Sequence, residues 1–202
     1  MSPMTFLFDL ASPYAYLSAE RLAGRPDIDW QPVLLGAIFG WRGHGSWAHT
    51  DTRDTHIAEI ERRAAAFGLS ALSWPEGWPP NSLPAMRAAL WAAEAGAGRE
   101  YSLASFRRAF QCGEDLAQLT LLQEVAGEVG LDAAALPAAI ADPGLKSRLK
   151  DVTVDAYARG LAGVPSFAVG EAMFYGDDHL DEALGELQRH ADSSRSMGNT
   201  GP

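Results

Sequence analysis

Two rhythms of apolar and polar positions alternate along the chain. A short apolar run, Phe6-Leu7-Phe8, breaks at Asp9, and beyond Ser12-Pro13 the apolar positions become Tyr14, Leu17 and Leu22. The first rhythm predicts a strand over residues 5–10 and the second a helix over Pro13–Leu22, the side-chain period changing from two to about 3.6 residues. Ser12 reads as the N-cap of that helix, and Pro13 suits its first position, where a missing N–H costs nothing. A second run over residues 28–35, with β-branched and aromatic character, predicts another strand. A helix between two strands implies a parallel pair joined by a right-handed crossover. Residues 41–55 show no apolar period and read as a loop.

From there to about Gly160 the pattern is helical. Ile57, Ile60, Ala64 and Phe67 share a face that ends at Gly68; Met86, Leu90 and Ala93 follow a Trp- and Pro-rich loop over residues 73–80; and Leu103, Phe106 and Phe110 mark a further helix. Thr120-Leu-Leu-Gln123 has the spacing of a capping box, with Val125 and Val129 continuing its apolar face. Asp142-Pro143 reads as a cap and first helical residue before Leu145, Leu149, Val152 and Ala156. Strands then return at residues 166–169 and 172–175 around Gly170-Glu171, which suits a tight hairpin. A last helix begins near Asp178, and residues 192–202 read as a disordered tail. The order is βαβ, a helical block, then αββα.

Composition narrows the classes of function. With 202 residues, 47% of them hydrophobic, the chain can bury a substantial core without covalent staples. Its single cysteine, Cys112, excludes an intramolecular disulfide, a CxxC pair and a thiolate zinc site. That usage fits a reducing, cytoplasmic setting, and neither a secretion signal nor a membrane span is expected. A formal charge of −10 opposes nucleic-acid binding; Arg62-Arg63 and Arg107-Arg108 lie within helical patterns and read as solvated faces. An anionic ligand would therefore need a local feature, and the helix start at Ser12 offers unpaired N–H groups and the positive end of a dipole.

Other candidate features have plainer readings. His44, His49, Asp51, Asp54 and His56 crowd one segment without the spacing of a metal site, and read as a mobile loop lining a cleft. Cys112 reads as a core or interface thiol. Trp41, Trp47, Trp74 and Trp78 flank loops and could line an aromatic pocket. Pro165 stands at the mouth of a strand, where a proline belongs at an edge or in a special turn.

Element order and motifs together resemble the α/β thioredoxin-like fold with an inserted all-helical domain, the DsbA-like arrangement. More narrowly they resemble the 2-hydroxychromene-2-carboxylate isomerase and kappa-class glutathione transferase family. The residues that carry this are the stretches 8–17 (FDLASPYAYL), 32–39 (PVLLGAIF), 81–87 (NSLPAMR), 163–167 (GVPSF) and 174–180 (FYGDDHL). The resemblance implies a thioredoxin-like domain in two halves, residues 1–40 and 160–191, and a helical insertion over 41–159. It also implies a homodimer and glutathione as the cofactor, and a small aromatic, electrophilic substrate.

Residue roles follow from the same resemblance. Ser12 would face the glutathione sulfur and favour its thiolate; Val164, before a cis Pro165, would pair its backbone with the tripeptide; Asp177 and Asp178 would meet the γ-glutamyl amine. His44 stands where the family carries an Asn, and His179 where it commonly carries Arg. Pro13, Tyr14, Trp41, Asn81 and Arg87 would border the substrate. The activity implied is a glutathione-dependent isomerisation of a chromene carboxylate by thiolate addition, rotation and elimination. Its alternatives are kappa-type conjugation or peroxide reduction, and a redox-inactive binding module.

Overall fold

A computed structural model describes residues 4–198. The first strand, β1, is Met4–Phe8, followed by helix α1 over Pro13–Leu22 and strand β2 over Asp29–Pro32. Helices α2 (Leu35–Arg42), α3 (Arg53–Ala66), α4 (Leu83–Glu94), α5 (Gly98–Phe110), α6 (Leu119–Glu128), α7 (Leu136–Ala141) and α8 (Pro143–Ala158) come next. A hairpin of β3 (Ser166–Val169) and β4 (Ala172–Tyr175) leads through a 3₁₀ turn, Asp177–His179, into α9, Leu180–Gly198.

The four strands form one mixed sheet in the order β2-β1-β3-β4, with β1 parallel to β2 and antiparallel to β3. Alternation along β1 sends its side chains to opposite faces, and both faces are covered. Phe6 and Phe8 point to one side, where Phe6 stacks on Phe167 at 5.7 Å and meets Trp30 edge-on at 5.0 Å. Phe8 reaches Phe106 of α5 at 5.7 Å, so this face continues into the helical block as one core with α1, α4, α5 and α9. Leu7 points the other way, into a smaller cluster with Ile38 of α2 and Ala156 of α8. The sheet is thus clamped between two helical layers, and β1, one of its two central strands, is buried at every position but Thr5.

Several elements depart from the sequence reading. β1 stops at Phe8 rather than Leu10, because the Asp9 carbonyl already accepts from Ser12 N–H in the turn into α1. β2 spans four residues, and the apolar stretch beyond it opens α2 instead of extending the strand. A continuous apolar run does not by itself distinguish strand from buried helix. Residues 41–55 are not loop throughout: they hold the end of α2, a 3₁₀ turn at Trp47–His49 and the start of α3, with irregular segments between.

The capping box at Thr120 does not form: α6 begins at Leu119, and Gln123 Nε2 donates to the Ala133 carbonyl. Helix α9 runs to Gly198, so residues 192–198 are helical rather than a disordered tail; Gln188 and Asp192 bond one turn apart along it. The rest of that tail, 199–202, lies outside the described residues. Cys112 is exposed, not in the core. Arg107 is bidentate on Glu20 of α1, at 2.8 Å for both contacts, and so ties α5 to α1 rather than facing solvent alone. No helix among the described residues is long and apolar enough to cross a membrane.

Candidate active site

The mouth of α1 forms the floor of a cleft of about 640 Å³. Ser12 is almost fully buried, in extended backbone conformation, and its Oγ accepts from Ala15 N–H at 3.2 Å. The cap therefore uses a lone pair on the oxygen and leaves the hydroxyl hydrogen for a ligand. Pro13 opens the helix as the sequence implied.

Beneath Ser12 lies Asp9, 1% exposed, whose carboxylate ties three chain segments together. Its Oδ1 accepts from Ala11 N–H at 3.0 Å, and its Oδ2 from Leu35 N–H at 3.0 Å and Ser82 Oγ at 3.2 Å. Burial pushes this carboxyl up from its ordinary value, against the pull of those donors. Leu10 N–H finds its acceptor in Met86 Sδ, at 3.1 Å.

The opposite wall comes from the loop before β3 and the turn after β4. Val164 and Pro165 line the cleft, and their peptide bond is cis. Pairing of β1 with β3 reaches Ser166 and stops there, so the backbone of Val164 is not used in that ladder. Gly176, at φ 104°, a conformation open to glycine, donates its N–H to the Pro165 carbonyl at 3.0 Å. That bond sets the 3₁₀ turn carrying Asp177 and Asp178 beside Pro165.

Asp177 is 2% exposed. Arg63 of α3 donates to its Oδ1 at 2.7 Å, while Oδ2 is buried with no hydrogen-bond partner. Burial raises the Asp177 carboxyl more than the guanidinium lowers it. Arg63 is held from its other side by Glu59 at 2.7 Å; Arg62 and Arg63 together pull the Glu59 carboxyl down to about 2. Asp178 and His179 are exposed at the rim, 3.3 Å apart.

Aromatic rings close the third side. Tyr14 Oη lies 2.9 Å from His56 Nδ1, and Trp47 stacks on the imidazole at 4.5 Å. Trp78, buried, donates its Nε1–H to the Ala11 carbonyl at 3.1 Å. The Trp78-Pro79 bond is also cis. Burial pushes the Tyr14 hydroxyl up, with Arg63 opposing.

The fold brings together Ser12, Pro13, Tyr14, His44, Val164, Pro165, Asp177 and Asp178, all of which line this cleft. Four expected lining residues, Trp41, Asn81, Arg87 and Trp74, lie elsewhere. Trp41 is 43% exposed and packs on Tyr157 at 5.1 Å, because α2 turns that side of the helix outward. Asn81 lies one position before Ser82, the N-cap of α4, with its Oδ1 accepting from Leu83 N–H at 3.2 Å, and Ser82 lines the cleft instead. Arg87, next to the buried Met86, does not line the cleft, and its Nε is buried without a hydrogen-bond partner. Trp74 is also outside, bonded to Glu61.

The sequence reading missed Asp9 and Arg63; His56, read only as part of a cleft-lining segment, does line the cleft and gains a specific partner in Tyr14. A polar residue breaking an apolar strand run was the available signal for Asp9. By its helical pattern Arg63 reads as part of a solvated face, and nothing local to α3 names a partner as distant as Asp177. Of the segment 44–56, His44 and His56 line the cleft, while His49, Asp51 and Asp54 are exposed. Among the described residues no three His, Cys, Asp or Glu side chains gather as a metal group.

These features define a thioredoxin-like α/β protein whose first helix begins at a buried serine on the floor of a cleft. The chain belongs to the DSBA-like thioredoxin domain family, with a match spanning residues 4–188. It is 27% identical over 187 residues to the 2-hydroxychromene-2-carboxylate isomerase of Sphingobium xenophagum, covering 87% of this chain and 93% of that protein. Among solved structures, a 2-hydroxychromene-2-carboxylate isomerase superposes with a TM-score of 0.85 at 21% identity, covering 96% of this chain and 98% of the other. The cytosolic disulfide reductase DsbM of Pseudomonas aeruginosa, solved with GSH, superposes with a TM-score of 0.62 at 21% identity over 95% and 98% of the two chains.

Proposed function

We propose that the chain is a glutathione-dependent isomerase of 2-hydroxychromene-2-carboxylates or closely related aromatic hemiketals. The observation that carries this reading is the pairing, in one cleft, of the Ser12 hydroxyl at a helix mouth with a buried acceptor, Asp177 Oδ2, that no protein group satisfies. Burying an acceptor without a donor costs roughly 1–3 kcal/mol, and a ligand amine would recover that cost. The relative from Sphingobium xenophagum supports the reaction class, and the DsbM structure with GSH supports a thiol tripeptide as a ligand of this fold.

Glutathione fits the groups present. Asp177, with Asp178 at the rim, would hold its amine, the backbone of Val164 its central residue, and Ser12 its sulfur. When bound, glutathione supplies the thiolate that adds reversibly to a conjugated carbon. Ser12 donates its hydroxyl hydrogen toward the position of that sulfur, and the unpaired N–H groups and dipole of α1 favour negative charge there, as they do for protein thiols so placed. Pro13 keeps the first turn without an N–H to misdirect the bond. Trp47 and Trp78 offer flat apolar surface to a planar aromatic ring and exclude water beside it.

Calorimetric titration of the wild type with glutathione tests this directly. Binding in the micromolar to millimolar range and a depressed thiol pKa in the bound state are expected, the depression shrinking in Ser12→Ala. Product analysis should recover free glutathione after turnover, since an isomerase returns it. Absence of binding, or an unchanged rate in Ser12→Ala, would overturn the reading; net consumption of glutathione would make the protein a transferase.

A further inference from the structure

Tyr14 and His56 meet only through the tertiary fold, Tyr14 from the first turn of α1 and His56 from the first turn of α3. Their polar atoms are 2.9 Å apart inside the cleft. Trp47 fixes both rings, stacking on His56 at 4.5 Å and standing edge-on to Tyr14 at 6.1 Å. Facing the phenol are Arg63, 5.7 Å from the ring centre, with Asp177, Glu59 and Tyr175. Burial keeps the Tyr14 hydroxyl protonated.

Such a pair can work in either direction. With the proton on His56 Nδ1, the imidazole donates to the phenol oxygen and the Tyr14 O–H is free for a ligand. With the proton on Nε2, Tyr14 donates to Nδ1 and its oxygen can accept. Of the other polar groups of the cleft, Asp9 is committed to three donors, Asp177 Oδ1 to Arg63, and the Ser12 oxygen to its helix cap, while Asp177 Oδ2 and the Ser12 hydroxyl hydrogen are assigned above to glutathione. Imidazole is also the side chain best suited to exchange protons near neutral pH.

From this geometry we infer that Tyr14 and His56 form an acid–base pair acting on the ring oxygen of a phenol-derived hemiketal, an assignment that rests on the isomerase reading above. A 2-hydroxychromene opens when its C2–O ring bond breaks. The bonding electron pair stays on the ring oxygen, which takes a proton from Tyr14 and becomes a phenol. The O–H bond of the C2 hydroxyl breaks as well; its electrons form the C2 carbonyl, and its proton returns to the pair through His56. One proton leaves the pair and one comes back, so no oxidant, reductant or further reactant is consumed. The pair thereby selects substrates with an oxygen ortho to the conjugated chain, a distinction that thiolate addition alone does not make.

The test has two readouts. First, titration with o-hydroxycinnamate and with cinnamate, in the absence of glutathione, measures recognition of the ortho oxygen. The wild type should prefer the hydroxylated ligand by about two- to tenfold, the equivalent of one net hydrogen bond. Tyr14→Phe should erase the preference, and His56→Gln, which keeps a side-chain hydrogen bond without an easily transferred proton, should retain it. Second, turnover of the chromene is compared with that of cis-benzylidenepyruvate, which lacks the ortho oxygen and has no ring to open.

Relative kcat/KM for the chromene should fall about a hundredfold in both Tyr14→Phe and His56→Gln, in line with loss of general acid–base catalysis. No ortho preference in the wild type overturns the inference, as does an equal loss on both substrates or full activity in His56→Gln. Should glutathione fail to bind, the isomerase reading falls, while the ortho preference still reports independently on the pair.

Discussion

Arg63 Nη1 donates to Asp177 Oδ1 at 2.7 Å, joining residues 114 apart in sequence across the candidate active site. The carboxylate is 3% exposed at its side chain and the guanidinium 25%. Taking these charges out of water is expensive, so the pair matters less for what it adds than for what its disruption would leave behind. Arg63→Met should strand the Asp177 carboxylate and destabilise the fold by about 3 kcal/mol, near the lower end for broken buried pairs. Urea unfolding at neutral pH checks this, and a change below about 1 kcal/mol would show that water reaches Asp177 freely.

The same carboxylate should leave a signature in pH. Its ordinary value is 3.8 and burial raises it in the folded state. Its contribution to stability is therefore fully present below pH 3.8 and is lost as pH rises through the folded value. Against Asp177→Asn, which cannot ionise, the wild type should lose ground steadily over that upward window. Glu59, held down at about 2, acts in the opposite sense below its ordinary 4.5 and is common to both proteins, so it cancels from the difference. A flat difference between the two unfolding curves would show that Asp177 is not raised.

Asp9 sets two effects against each other. Replacing it with Asn removes the cost of a buried ionised group, but an amide has one acceptor oxygen and would turn an NH₂ toward either Ala11 N–H or Leu35 N–H. Because both donors belong to helix entries, an orphaned one should cost about 1–3 kcal/mol and outweigh the gain. Loss of stability in Asp9→Asn by thermal or urea unfolding is the expected outcome; a gain would mean that carboxylate desolvation dominates.

Met86→Leu should cost more than a volume-conserving swap normally does. Met86 and Leu10 are fully buried, and the thioether is the acceptor for Leu10 N–H. An ordinary Met-to-Leu change costs less than about 1.5 kcal/mol. Orphaning the amide should carry this one beyond that bound, and urea unfolding of the single variant measures it.

Much of the cleft was legible in the sequence because its parts are local. A serine followed by proline, at the switch from strand to helix periodicity, specifies a capped helix mouth without reference to anything distant, and the helix does span Pro13–Leu22. The hairpin with Gly170-Glu171 at its turn is equally local, and so is the Asp142 cap, whose side chain accepts from Leu145 N–H. Resemblance of short motifs to a known family added Val164, Pro165 and the two aspartates, which line the same cavity.

Other decisions belonged to the tertiary structure. The apolar run after β2 satisfies strand and helix patterns alike, and its conversion into α2 comes with the Asp9 carboxylate that receives Leu35 N–H from another segment. Arg63 reads as an ordinary residue of a solvated helix face, and His56 as one of several polar residues in a cleft-lining segment, until α3 packs on α1. Only then do a buried carboxylate and a phenol stand within hydrogen-bond reach of them. Periodicity and capping depend on interactions within a turn or two, so the chain by itself determined where α1 and α8 begin, but not that α2 forms or where α6 starts. Pairing of buried polar groups depends on through-space distance and exclusion of water, which the assembled fold alone supplies.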